Sequence, residues 1–207
     1  MVNYSMKNTK LLIVVFGVVV LIVVGFFVYN TFLNKENQES SKNQIKVVKI
    51  EDLSTIILSV NDFPTGENWT LKDRIERGKS DVSDEGLALG WKRGYQASYL
   101  RGNLEFGNLD YSRLDMYISE YPPENISLAF LNPSEDNGTI YDSLSNLKIG
   151  DSSRAYKAIY IDEFGTEDYY YIVEFTKMNV YERLDLSGTR VDYELLKELA
   201  KKAEAKI

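Results

Sequence analysis

The 207-residue sequence contains no cysteine and no histidine, and only four prolines. Without cysteine there is no disulfide framework, no thiolate metal site and no lipid-modified thiol to hold the chain at a membrane. Without histidine there is no Ser-His-Asp triad, no His–Glu zinc site and no imidazole acid or base. Glycine-rich phosphate loops are missing too, since neither GxGxxG nor GxxxxGK[ST] occurs. Positive charge is scarce: 24 Lys and Arg stand against 31 Asp and Glu, and residues 47–207 alone carry a net −10. That sign opposes nucleic acid and anionic lipid surfaces. No cofactor and no nucleic-acid partner is therefore expected.

One long apolar run is present. Residues 11–29 read LLIVVFGVVVLIVVGFFVY without a charge, and at about 1.5 Å rise per residue they span roughly 28 Å, one hydrocarbon thickness. The Val and Ile content disfavours a helix in water, but lipid forces the backbone to satisfy its own hydrogen bonds. Lys7 and Lys10 precede the run, whereas Lys35, Glu36, Glu39 and Lys42 follow it with mixed sign. The positive-inside rule then places the N-terminus in the cytoplasm. Phe26, Phe27, Tyr29 and Phe32 form an aromatic belt at the far end. The expected organisation is a cytoplasmic tail over 1–10, a transmembrane helix over 11–33, a polar linker over 34–46 and an extracytoplasmic domain over 47–207, held in the cell membrane as a single-pass signal anchor. A cleaved signal peptide is the rival reading. Its apolar core would run to about 7–15 residues before small residues, and here YNTFLNKE follows.

In the exported part, Ile50, Leu53, Ile56 and Ile57 recur at helical spacing, and Trp69 with Leu71 predicts a strand. GYQASYLRG places Tyr95, Ala97 and Tyr99 on one strand face and Gln96 and Ser98 on the other; LDMYISEY sets Leu114, Met116 and Ile118 against Tyr117, Ser119 and Tyr121. Pro122-Pro123-Glu124 then opens a helix carrying Ile126, Ala129 and Phe130, which Pro133 ends. RAYKAIYID repeats the Tyr-x-Ala-x-Tyr pattern at Tyr156, Ala158 and Tyr160; YYYIVEF and VYERLDL read as a hairpin turning at Thr176-Lys177-Met178-Asn179. A C-terminal helix closes the chain, with Val191, Leu195, Leu196, Leu199, Ala200, Ala203 and Ile207 on one stripe. The fold class is α+β: an antiparallel sheet covered by helices, in two strand-strand-helix halves.

Asn61-Asp62-Phe63-Pro64 with Trp69, Gly94-Tyr95 with Tyr99, Pro123-Glu124 with Ala129-Phe130, Ile149-Gly150-Asp151-Ser152 and a hairpin from Phe175 to Val180 occur in that order. Together they resemble a family of exported archaeal and bacterial domains without assigned function, over about residues 50–207. That family opens on Asp-Leu-Pro…Gly-Trp and carries a central Gly-Asp-Ser. Here Phe63 replaces the leucine, and Thr65-Gly66-Glu67-Asn68 separates proline from Trp69. The resemblance implies a fold and an extracytoplasmic address, and no activity.

Candidate chemistry is thin. Asp81, Asp84 and Glu85 in SDVSDEG do not meet the EF-hand spacing, and Asp162, Glu163, Glu167 and Asp168 around Gly165 read as a polar hairpin loop. Ser152 near Asp151 lacks both the G-x-S-x-G turn and a histidine. Tyrosine is the one enrichment, at 15 residues. Tyr95, Tyr99, Tyr117, Tyr156, Tyr160 and Tyr170 on strands form a candidate binding surface, with cross-strand packing as the competing reading. Asn68 and Asn137 are candidate glycosylation sites, and Asn125 also fits the acceptor pattern. The expected function is a membrane-anchored module that binds an extracytoplasmic ligand or protein. A cell-envelope scaffold that self-associates and a carboxylate-dependent hydrolase are the alternatives.

Overall fold

Leu114, Met116 and Ile118 are fully buried, while Asp115 and Tyr117 between them are only partly so. This period of two builds the central strand of a seven-stranded antiparallel sheet. A computed structural model describes residues 49–103, 110–130, 139–144, 147–161 and 167–207. Its strands are β1 (Trp69–Arg77), β2 (Arg93–Asn103), β3 (Asp110–Glu120), β4 (Thr139–Leu144), β5 (Ser152–Ile161), β6 (Glu167–Lys177) and β7 (Val180–Gly188). They lie in the order β1-β2-β3-β7-β6-β5-β4, so a three-stranded and a four-stranded meander join where β3 pairs β7. The α-helices are α1 (Asp84–Ala88) and α2 (Tyr193–Glu204).

One face of the sheet carries the core. Ala97 and Tyr99 from β2, Leu114, Met116 and Ile118 from β3, Val173 and Phe175 from β6, and Leu184 and Leu186 from β7 pack there against Leu195, Leu196, Leu199, Ala200 and Ala203 of α2. The α2 stripe is thus the one that the helical period predicts. Asp192 caps the helix by accepting a hydrogen bond from Glu194 N at 2.8 Å. Beside it lies an irregular segment with two 3-10 turns, Leu53–Ile56 and Val60–Asp62. Lys206 ties this segment to α2 by a 3.0 Å ion pair with Asp62, and Lys202 donates to the Asp62 carbonyl. Phe63 stacks on Trp69 at 4.7 Å and meets Tyr99 at 4.8 Å.

Tyr99 is wholly buried, and its hydroxyl donates to the Leu58 carbonyl. Burial pushes its phenol well above the usual range. Tyr99→Phe should cost about 1 kcal/mol in urea unfolding, the net worth of one hydrogen bond; an unchanged midpoint would show that Leu58 is satisfied in another way.

The Gly-Asp-Ser motif has a structural job. Gly150 has φ +63°, and a Cβ there would lie 2.2 Å from the Thr176 carbonyl oxygen. Asp151 donates its N–H to that same carbonyl at 2.7 Å, and its carboxylate accepts from Met178 N at 2.6 Å. The motif therefore clamps the entry of β5 onto the β6–β7 hairpin, whose first turn residue, Met178, also has positive φ. Gly150→Ala should destabilise by roughly 2 to 4 kcal/mol through a left-handed backbone and a steric clash, read as a lowered denaturation midpoint. A midpoint within experimental error of the parent would contradict the clamp.

Two expectations need correction. The helix expected after Pro122-Pro123 is a single 3-10 turn, Ile126–Leu128, because Ile126 and Ala129 bury together at i, i+3 beside Trp91 and Tyr121. The two Tyr-x-Ala-x-Tyr runs also do not match in orientation. Ala97 and Tyr99 sit in the helix-covered core, whereas Tyr156 points to the opposite side of the sheet. No helix among the described residues is long and apolar enough to cross a membrane. The expected span at 11–33 and the linker at 34–46 lie outside the described residues.

Candidate functional site

Among the described residues, no long helix covers the second sheet face. Side chains at alternating positions face it: Ser98 from β2, Asp115, Tyr117 and Ser119 from β3, Tyr181, Arg183 and Asp185 from β7, Ile172 and Glu174 from β6, Arg154 and Tyr156 from β5, and Tyr141 from β4. At the end near Tyr121 a small second core builds a wall. Trp91, Tyr121, Ile126 and Ala129 cluster there with Val82, Leu87 and Leu89. Gly94 makes room for it, since a Cβ would come within 2.6 Å of the Ile118 carbonyl oxygen and 3.1 Å of the Trp91 ring. The Trp91 indole N–H then donates to Ser119 Oγ at 3.2 Å. Between this wall and β4 lies a groove of about 470 Å³, within the usual size of small-molecule sites.

Its floor is an ion-pair network. Glu174 is 4% exposed. It accepts from the Tyr181 hydroxyl at 2.5 Å and from Arg154 Nε, and Arg183 Nη1 stands 3.9 Å away. Arg183 holds Asp185 in a two-pronged contact, Nε to Oδ1 at 2.8 Å and Nη2 to Oδ2 at 3.0 Å. Asp115 stands directly opposite Asp185 across the β3–β7 pair. Such like charges repel, and each is compensated by its own arginine: Arg113 Nε lies 2.8 Å from Asp115, which also accepts from Ser98. Burial raises the Asp185 carboxyl above its ordinary value even with Arg183 attached. The Tyr181 phenol is pushed far up by burial and by the Glu174 charge, so it remains a donor.

The walls are aromatic. Tyr117, Tyr121, Tyr141, Tyr156 and Tyr181 all line the groove. Tyr141 meets Tyr156 edge-on at 6.2 Å, Arg77 lies over the Tyr117 ring at 5.6 Å, and Arg154 lies over Tyr156 at 5.5 Å. Tyr170 neighbours Tyr141, and burial together with this contact raises its phenol to about 12.

The six tyrosines singled out from the sequence are thus divided between faces. Tyr117 and Tyr156 line the groove, Tyr170 is on the same face, and Tyr160 is at the exposed end of β5. Tyr95 and Tyr99 belong to the helix-covered core. Asn68 is exposed just before β1, and Asn137 lies outside the described residues. Asn125 donates from its amide to the Leu89 carbonyl at 2.9 Å, a bond that a glycan there would disrupt. Asp81 caps a turn by accepting from Gly78 N at 2.7 Å, and Asp84 and Glu85 occupy the first turn of α1. Asp162 and Glu163 lie outside the described residues.

No family model, curated protein or solved structure matches the chain.

The groove residues that sequence reasoning missed are Arg77, Tyr141, Glu174, Tyr181, Arg183 and Asp185, together with Arg154, which pairs with Glu174 beneath them. A signal for part of them existed. Arg183-x-Asp185 on a strand puts both side chains on one face, one pairing distance apart, and Glu174 sits between two apolar residues that must point the other way. What no local pattern supplied was the β6–β7 register that pairs Glu174 with Arg183.

Proposed function

We propose that this protein is a membrane-anchored extracytoplasmic binding module whose ligand site is the groove on the open face of the sheet. The observation that carries the reading is the concentration there of five tyrosines over a hydrogen-bonded Arg–acid floor. In an otherwise acidic domain the arginines balance the acids locally, and rigid amphipathic rings supply contact area at low entropic cost. The anchor over 11–33, the linker over 34–46 and the outward orientation belong to the same proposal and are supported by the apolar run and its flanking charges. So does the resemblance to exported domains, on the motifs quoted for it.

Self-association through the β1 edge of the sheet is disfavoured. This outer strand exposes Lys72, Asp73, Arg74 and Glu76 and carries a bulge between Leu71 and Asp73, and both features block edge pairing. Hydrolysis by paired carboxylates is disfavoured because Glu174 and Asp185 are each committed to arginine.

Two measurements test the proposal. Protease added to intact cells or spheroplasts should digest the 47–207 region; protection of that region would overturn the orientation. The immobilised full chain should retain envelope material from its host, and the Tyr141→Ala/Tyr156→Ala double variant should lose roughly 90% of that retention, given about 1 kcal/mol or more per aromatic contact. Equal retention by the variant would remove the groove from the function.

A further inference from the structure

We infer that the ligand of this groove is a neutral, hydroxyl-rich ring: a sugar residue of an envelope glycan. The inference rests on the groove being the binding surface and concerns what that surface can accept. Four charged side chains line it, Arg77, Arg183, Glu174 and Asp185, two of each sign. Each is already neutralised or held within the protein. Asp185 is bound by Arg183, and Glu174 by Arg154 and Tyr181. Arg77 donates to Ser119 Oγ at 3.3 Å and to the Asp81 carbonyl. An anionic ligand would bring a charge beside Glu174 and Asp185, and a cationic one beside Arg77, Arg154 and Arg183, so either would meet repulsion from a floor whose two acids are each already paired with an arginine.

A hydroxyl-rich ring meets no such conflict. Hydroxyls donate and accept alike, so one ring can give hydrogen bonds to carboxylate oxygens and take them from guanidinium N–H groups. Arg183 has five N–H donors, of which the bonds to Asp185 occupy two. The same ring has apolar C–H faces, which suit the partly exposed rings of Tyr141 and Tyr156; these stand nearly perpendicular, 83° apart, and form a corner at the β4–β5 side. The lining contributes little pure hydrocarbon, Val82 and Ala129 from the wall and Ile172 from the floor. A greasy ligand would leave the charged groups unpaired and desolvated.

The test is ligand-observed saturation-transfer NMR on the full chain in a detergent without sugar headgroups. The probes are neutral tetrasaccharides of glucose, galactose, mannose and N-acetylglucosamine, an oligogalacturonate as the acidic control and a chitosan oligomer as the cationic control. At least one neutral probe should bind with a Kd around 1 mM or tighter, about 4 kcal/mol of affinity. Tyr141→Ala and Tyr156→Ala should each weaken it about tenfold, Tyr156→Phe should retain it, and Tyr169→Ala, on the opposite face, should leave it unchanged. Circular dichroism of each variant verifies that it is folded.

Absence of binding by all four neutral probes overturns the inference, as does binding that both alanine variants retain. Binding of the acidic or cationic oligomer at these tyrosines, without the neutral ones, overturns the ligand class and leaves the binding-module reading standing. Host envelope material that ignores the double variant overturns the module reading itself.

Discussion

Replacing Glu182 by methionine should stabilise the protein at pH 7 by about 1 to 3 kcal/mol, the cost of a buried carboxyl left without hydrogen bonds, and by more as the pH rises. Glu182 is on β7, between Ile118 of β3 and Phe175 of β6, on the helix-covered face. It is 0% exposed, and neither carboxylate oxygen has a hydrogen-bond partner among the described residues. The charged groups that act on it are Lys177 and Glu204, and Lys177 is itself engaged with Glu204, by a 2.9 Å ion pair and a 2.8 Å bond to its carbonyl. Burial therefore dominates and raises the carboxyl well above its ordinary value, with Lys177 opposing and Glu204 reinforcing the shift. The folded chain holds a proton that the unfolded chain releases. Stability is complete below the ordinary value of 4.5 and falls by about 1.4 kcal/mol per pH unit above it, until Glu182 ionises in the fold. Methionine is unbranched like glutamate and removes the titration. Urea denaturation of both proteins from pH 4 to 8 should show curves that converge at the acid end and diverge upward. Parallel curves would mean that Glu182 has a partner and is charged.

Arg183→Met should have the opposite effect, a loss of about 3 kcal/mol or more. Asp185 would lose both of its hydrogen bonds from Arg183, and Glu174 one of its two neighbouring guanidinium groups. The damage lies in the stranded carboxylates and not in the lost attraction, because a buried pair contributes little beyond its own desolvation. The Arg183→Met/Asp185→Leu double variant should accordingly recover most of the loss. A double-mutant cycle by chemical denaturation measures this; additive losses would show that the two residues act independently.

The alternation in LDMYISEY is strong because its strand has one apolar face in the core, and the periodicity of α2 is strong for the same reason. These elements were legible. The short edge strand β4 was not, since TIYDSL has one partner strand and little buried surface to impose a pattern. The turn at Ile126–Leu128 looked helical because proline and an i, i+3 apolar pair open 3-10 turns and α-helices alike. At the site, counting tyrosines on strands found Tyr117 and Tyr156 but assigned Tyr95 and Tyr99 to the same surface. Which face each strand turns to the helices depends on how the strands pair across the sheet, and alternation within one strand is silent about that. Glu182 escaped notice for a related reason: in VYERLDL it reads as an ordinary polar position, yet it shares parity with Val180, Leu184 and Leu186 of the core.

The groove as binding surface is tested most directly by hydroxyl-radical footprinting of tyrosine side chains in the full chain, with and without solubilised envelope glycan from its host. Tyr117, Tyr141 and Tyr156 should become protected, while Tyr169, 44% exposed on the helix-covered face, keeps its reactivity. Unchanged labelling of all three groove tyrosines, or protection confined to Tyr169, would contradict the assignment.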